Sequence, residues 1–192
     1  GALLPLQLFE LRYLQMIGEC ERQGTGFAVV TLTQGREVHR PGASAEQFET
    51  LGTRVHIERI ERPQAGLVMV WCRGVEKISI QNTRQRSDGL WTGQVHALPP
   101  EPAVQVPEDL QHLSVQMHEA LTQLSAQPSV VPHWAEAWRL QDCSWLSHRW
   151  GELLPLPLQM KYRVFALQEP LMRLELIGDM VPAQITIGGI QR

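Results

Sequence analysis

Four prolines, Pro99, Pro100, Pro102 and Pro107, fall within nine residues and divide the chain into two stretches of different texture. Proline lacks a backbone N–H and fixes φ, so such a run neither joins a sheet ladder nor continues a helix. A linker is therefore expected over residues 99–107, between one unit at 1–98 and another at 108–192. With 192 residues the chain can bury a hydrophobic core without help from metals or disulfides.

Before the prolines the pattern is mainly that of strands. Leu4 to Leu8 is expected to be extended, and Phe27 to Leu32 is β-branched and ends near Gly35. Val55-His56-Ile57 alternates apolar and polar, and Ile60 follows out of phase, which predicts a bulge. Arg62-Pro63-Gln64-Ala65-Gly66 reads as a turn, and Leu67 to Trp71 completes a hairpin. Lys77–Ile80 and Leu90–His96 are two further short strands, and many short strands suggest a small curled sheet or barrel. One helix interrupts them, from Glu10 to about Glu21, where Tyr13, Ile17 and Cys20 share a face and Gly24 and Gly26 end the element.

After the prolines the periodicity is helical. Leu110, Leu113, Met117, Leu121 and Leu124 form one apolar stripe, with Glu108 and Asp109 at the positive end of the helix dipole. Further helices are predicted around Trp134 and Trp138, from Trp145 to Trp150, from Leu158 to Gln168 and from Leu171 to Met180. Gln184 to Ile187 has the pattern of a terminal strand.

Seventeen Lys and Arg against twenty Asp and Glu give a formal net charge of -3, and Arg54, Arg59, Arg62, Arg73, Arg84 and Arg86 are interspersed with glutamates. Nucleic-acid binding draws on a basic excess to neutralise phosphates, so it is disfavoured here. Cys20, Cys72 and Cys143 are odd in number and widely spaced, which fits a reducing, cytoplasmic setting with unpaired thiols and no metal. No apolar run approaches the roughly 18 residues that a spanning helix needs, so no membrane contact is expected.

No residues are assigned to catalysis, to a metal or to a cofactor. Gly188-Gly189 lacks the lysine and the following helix of a phosphate-cradling loop. Among His133, Cys143 and His148 only the last two approach zinc-ligand spacing, and no second pair exists, so a buried thiol and surface imidazoles are the expected reading. Asp142, Ser144 and His148 are triad residue types without a G-x-S-x-G elbow, and Asp142 is expected to cap the helix beginning near Ser144.

Trp134, Trp138, Trp145 and Trp150 admit two readings. Tryptophans in a helical bundle usually anchor its core. The alternative is an aromatic groove for apolar peptides at the corner between sheet and helices, with at least one ring exposed and Met160 and Met172 adding adaptable surface.

Leu4-Pro5-Leu6-Gln7-Leu8-Phe9-Glu10-Leu11-Arg12-Tyr13-Leu14-Gln15-Met16 resembles the opening signature of the Lon protease N-terminal (substrate-binding) domain. Gly52-Thr53, Ile57, the Gly66 turn, Leu67-Val68 and Gly74 to Ile80 follow in the family's order, as does the helical close from Leu153 to Leu176 with Arg173-Leu174. Leu11 stands where the family usually has Pro, and Glu76-Lys77 where it tends to have Arg-Phe. The family begins with a strand ahead of Gly1-Ala2-Leu3-Leu4, so the sequence is expected to start inside the domain.

Within the motif, Phe9 and Tyr13 lie one turn apart and are expected to plug the sheet. Glu10 and Arg12 are expected to fix the strand-to-helix corner, worth about 1 kcal/mol if partly exposed.

The resemblance implies an α+β fold: a curled N-terminal sheet or pseudo-barrel, PUA-like and similar to the Lon N-domain, followed by a C-terminal helical bundle. It also implies a free-standing bacterial module without the Lon ATPase or protease. Such a module is non-enzymatic and recognises proteins or unfolded, apolar peptide segments, or acts as an adaptor, with a homodimer among its expected states. The rival readings are a PUA-like RNA-binding domain and a small hydrolase.

Overall fold

The structure is a computed structural model that describes residues 1–35, 46–126 and 138–182. The chain divides into two units, Gly1–Pro100 and Glu101–Arg192.

The first unit is an antiparallel sheet with one helix. Strand β1 (Leu3–Leu8) leads into helix α1 (Leu11–Gln23), followed by β2 (Phe27–Gln34), β3 (Gln47–Gln64), β4 (Leu67–Gln85) and β5 (Trp91–Ala97). The strands run in the order β1-β4-β3-β2, and β5 pairs with β4 beyond the stretch taken by β1. Ile17 of α1 is buried against Val55, Val70 and Cys72, with Leu4, Leu6 and Leu8 packing around them. These three leucines are alternate residues of β1, so the period-2 pleat places them on one face. Gly24 ends α1 in the left-handed region, at φ 64°, and its N–H closes back on the carbonyl of Cys20.

The strands are fewer and longer than the sequence suggests. Lys77–Ile80 is not a separate strand but the middle of the 19-residue β4, which faces the 18-residue β3. Bulges are the reason. Register slips between Arg54 and Val55, opposite Glu76 and Gly74, between Ile57 and Arg59, and between Gln81 and Arg84, where Asn82 adopts φ 50°. Each slip breaks the apolar alternation without breaking the strand, and so imitates a strand end.

In the second unit a 3-10 turn at Glu108–Leu110 precedes α2 (Gln111–Ser125), and α3 (Cys143–Leu153), α4 (Leu158–Ala166) and α5 (Pro170–Gly178) follow. Leu113, Met117 and Leu121 of α2 meet Leu146 and Trp150 of α3, Val164 of α4, and Leu174 and Ile177 of α5 in one core. Asp142 caps α3 by accepting the Ser144 N–H at 2.9 Å. Pro170 opens α5 at a position whose N–H would have no helical partner.

The later part of the proline-rich run belongs to this unit. The Val106 N–H donates to the Gln141 carbonyl at 3.1 Å, the Cys143 N–H to the Val104 carbonyl at 2.8 Å, and Val106 is buried. The predicted helix through Trp134 and the terminal strand at 184–187 lie outside the described residues, as does His133.

Candidate functional site

Three places concentrate polar chemistry, and each is built within one unit. The first is the corner between β1 and α1. The Arg12 side chain is 5% exposed. Its Nε donates to Glu10 at 3.2 Å, and its Nη1 to Glu46 at 3.1 Å and to the Gly89 carbonyl at 2.9 Å. Its guanidinium also lies 4.7 Å from the centre of the Tyr13 ring. Glu46 receives the Trp91 indole N–H as well, at 2.7 Å. Arg12 therefore ties the helix start to the segment leading into β3 and to the β4–β5 connection. Glu10 is its neighbour in sequence, but Glu46 and Gly89 are brought in by the fold and carry no local signal.

Phe9 does not plug the sheet: it is 57% exposed. The alternation that turns Leu4, Leu6 and Leu8 inward continues one residue further and turns Phe9 outward. Tyr13 is partly buried.

The second place is a carboxylate clamp in the helical unit. The Arg173 side chain is fully buried, and its guanidinium forks onto both oxygens of Glu101, with Nη1 at 2.9 Å and Nη2 closer. Its Nε donates to Ser147 Oγ at 2.8 Å and its Nη1 also to the Leu167 carbonyl at 2.6 Å. Ser144 Oγ donates to the same carboxylate at 2.5 Å, and His148 Nε2 lies 3.4 Å from it. Nucleophilic catalysis needs an imidazole beside the hydroxyl to take its proton. Here the Ser144 hydroxyl donates to the Glu101 carboxylate, which His148 Nε2 also approaches, while Asp142 is engaged at the helix cap. Ser144 and His148 thus both meet Glu101, and Asp142 caps α3.

The tryptophans divide. Trp150 is 1% exposed and its indole N–H donates to the Leu113 carbonyl at 3.2 Å, so it belongs to the core and is not a peptide contact. The reason is helical phase: Trp150 lies four residues after Leu146 and seven after Cys143, on the face that meets α2. Trp138 and Trp145 are partly buried against the same core, and Trp138 meets the His118 ring edge-on at 5.4 Å. Trp134 lies outside the described residues. Met172 is 55% exposed.

The three cysteines are buried and free. Burial, reinforced by the negative potentials of Cys20 and Glu58, pushes the Cys72 thiol up to about 11. Burial, then Asp142, also raises Cys143. The thiolate is the reactive form. Native protein at pH 8 is therefore expected to leave Cys72 and Cys143 unlabelled by a maleimide and to label them in denaturant. Stoichiometric labelling of either before unfolding would contradict the packing described here.

Among the described residues, no group of three or more His, Cys, Asp or Glu side chains is placed to hold a metal ion, and no helix is long and apolar enough to cross a membrane.

The third place is a notch where the end of α1 meets β3. It measures about 320 Å³ and is lined by Cys20, Glu21, Gly24 and Thr25 on one side and by His56 to Ile60 on the other. The bulge between Ile57 and Arg59 forms its wall. The sequence signals the bulge by the slip in alternation before Ile60 and the helix end by Gly24, but not that the two face each other.

The family model described as the ATP-dependent protease La (LON) substrate-binding domain matches residues 1–182. A crystal structure of a Lon N-terminal domain protein from Xanthomonas campestris is similar at a TM-score of 0.71 and 24% identity, over 95% of this chain and 91% of that one. The N-terminal domain of a Mycobacterium avium complex Lon protease is similar at a TM-score of 0.57 and 15% identity, over 93% of this chain and 89% of that one. No curated protein matches the chain. At these identities the solved structures establish the fold, an antiparallel sheet followed by helices, and the family model establishes descent. The chain belongs to the ATP-dependent protease La (LON) substrate-binding domain family.

Proposed function

We propose that this chain is a non-catalytic, cytoplasmic protein-recognition module that captures protein substrates through unfolded, apolar segments. The observation that carries the reading is the family model's match over residues 1–182. The arrangement of Ser144, Glu101 and His148 supports a binding role over a hydrolytic one, because each polar group is spent on its neighbours. The sheet arginines support protein over RNA as the partner. Arg54 pairs with Glu76, Arg62 with Glu21, Arg73 with Glu58 and Arg86 with Glu19, so their charge is largely neutralised in place.

The test is binding of fluorescein-labelled, reduced and carboxymethylated casein, followed by anisotropy, against the same measurement with a native folded protein and with single-stranded RNA. Saturable binding of the unfolded casein alone is expected, together with no ATP hydrolysis and no ATP-dependent casein cleavage. Nucleotide-stimulated cleavage by contaminant-free protein would defeat the reading. Preferential RNA binding with retention on heparin would replace it.

A further inference from the structure

We propose that the edge of β3 from His56 to Ile60, together with its notch, receives an extended, uncharged peptide as an added β-strand. This rests on the reading that the module captures unfolded segments, and it locates that capture on the first unit. Strand β2 accompanies β3 only as far as the Phe27–Val55 pair. From His56 to Gln64, β3 is paired with β4 alone among the described residues.

Local geometry explains why β2 stops there. Gly24 turns the chain away in the left-handed region. Gly26 lies so close to the Val55 carbonyl that a Cβ on it would stand 1.8 Å from the oxygen. The lane that β2 occupies thus opens at His56, with the end of α1 beside it. Cys20, Gly24 and Thr25 line one side of the notch, and Ile57, Arg59 and Ile60 the other.

The chemistry of the lane selects its occupant. A strand edge offers backbone donors and acceptors, offset here by the bulge between Ile57 and Arg59, and another extended backbone is the group that matches them. Folded proteins have their backbone groups already paired, whereas an unfolded segment has them free. Recognition through backbone would therefore favour unfolded chains while tolerating varied sequence.

The rim adds a second filter. Glu21 pairs with Arg62 at 2.6 Å, Glu58 with Arg73, and Arg59 with Glu61 at 3.4 Å, while the Arg59 guanidinium lies 3.8 Å from the centre of the Trp71 ring. With three cations matched by three carboxylates, the rim favours a segment without net charge. Ile57 and Ile60 supply apolar contact to its side chains.

The probe is a fluorescein-labelled, uncharged Val/Leu/Thr peptide of about eight residues, a common strand length, beside the same peptide N-methylated at alternate backbone amides. Methylation removes strand donors and leaves the side chains in place. The methylated peptide is expected to bind the whole chain at least about tenfold more weakly, and binding of the parent peptide should slow amide exchange at residues 56–60. Thr25→Trp, at an exposed loop position, fills the notch and should weaken the parent peptide by a similar factor; if that variant fails to fold, methylation and exchange still decide.

Equal binding of the two peptides, with exchange at 56–60 unchanged, overturns the edge as the site and leaves substrate capture standing. Failure of the parent peptide while unfolded casein binds overturns the site alone. Failure of both probes removes the reading on which the site rests.

Discussion

Glu101→Ala is expected to destabilise the helical unit by about 3–5 kcal/mol, because it strands a buried guanidinium. Arg173 is fully buried and meets both oxygens of Glu101. Without that carboxylate, its remaining partners are neutral: Ser147 Oγ and the Leu167 carbonyl. Glu101 keeps 16% of its side-chain surface exposed, so water reaching the vacated space places the loss toward the lower end of that range.

The reverse variant, Arg173→Met, should cost less. It leaves a carboxylate that touches solvent and still accepts from Ser144. Burying an apolar pair in place of an ion pair is often close to neutral. Glu101→Leu combined with Arg173→Met should therefore be more stable than Glu101→Ala alone. Urea unfolding followed by tryptophan fluorescence reads all three, since Trp150 lies in the core of the same unit. A Glu101→Ala loss below about 1 kcal/mol would mean that the clamp is loose in solution.

This clamp also shows where sequence reading ends. The spacing of Ile17 and Cys20, the Leu113–Met117–Leu121 stripe and the Pro63–Gly66 turn are local signals, and α1, α2 and the β3–β4 hairpin follow them. Composition misleads over residues 101–107. Prolines mark a break in regular structure, yet Val106 is buried and Glu101 bonds a residue 72 positions away. A carboxylate in a proline-rich run has no local feature that distinguishes it from a solvated one.

Arg12 is the same case in milder form, since Glu10 is visible beside it and Glu46, 34 positions on, is not. The lengths of β3 and β4 were hidden for another reason: bulges break the very alternation by which strands are recognised. The notch at β3 needs both a helix stop at Gly24 and a bulge near Ile57. The sequence signals each of these separately, and only the fold brings them together.

Trp150→Ala should cost about 3–5 kcal/mol, as large-to-small substitutions of buried aromatics do. The ring lies among Leu113, Met117, Leu146 and Leu174, and its indole N–H holds the Leu113 carbonyl across the α2–α3 contact. Trp150→Phe separates volume from hydrogen bonding: it keeps most of the apolar contact and loses the donor, at about 1–2 kcal/mol.

Trp138 and Trp145 are partly buried, so their Ala variants should be less destabilising, by about 1–2 kcal/mol each. If capture occurs along β3, neither variant changes peptide affinity as measured by anisotropy, and Trp150→Ala lowers stability without a specific effect on binding at temperatures where it stays folded. A contrary pattern would be decisive. Lost peptide binding in Trp138→Ala or Trp145→Ala, with the melting temperature unchanged, would move recognition to the helical unit. An unchanged melting temperature in Trp150→Ala would show that this ring is not the core anchor its burial implies, because a cavity of that size does not form without cost.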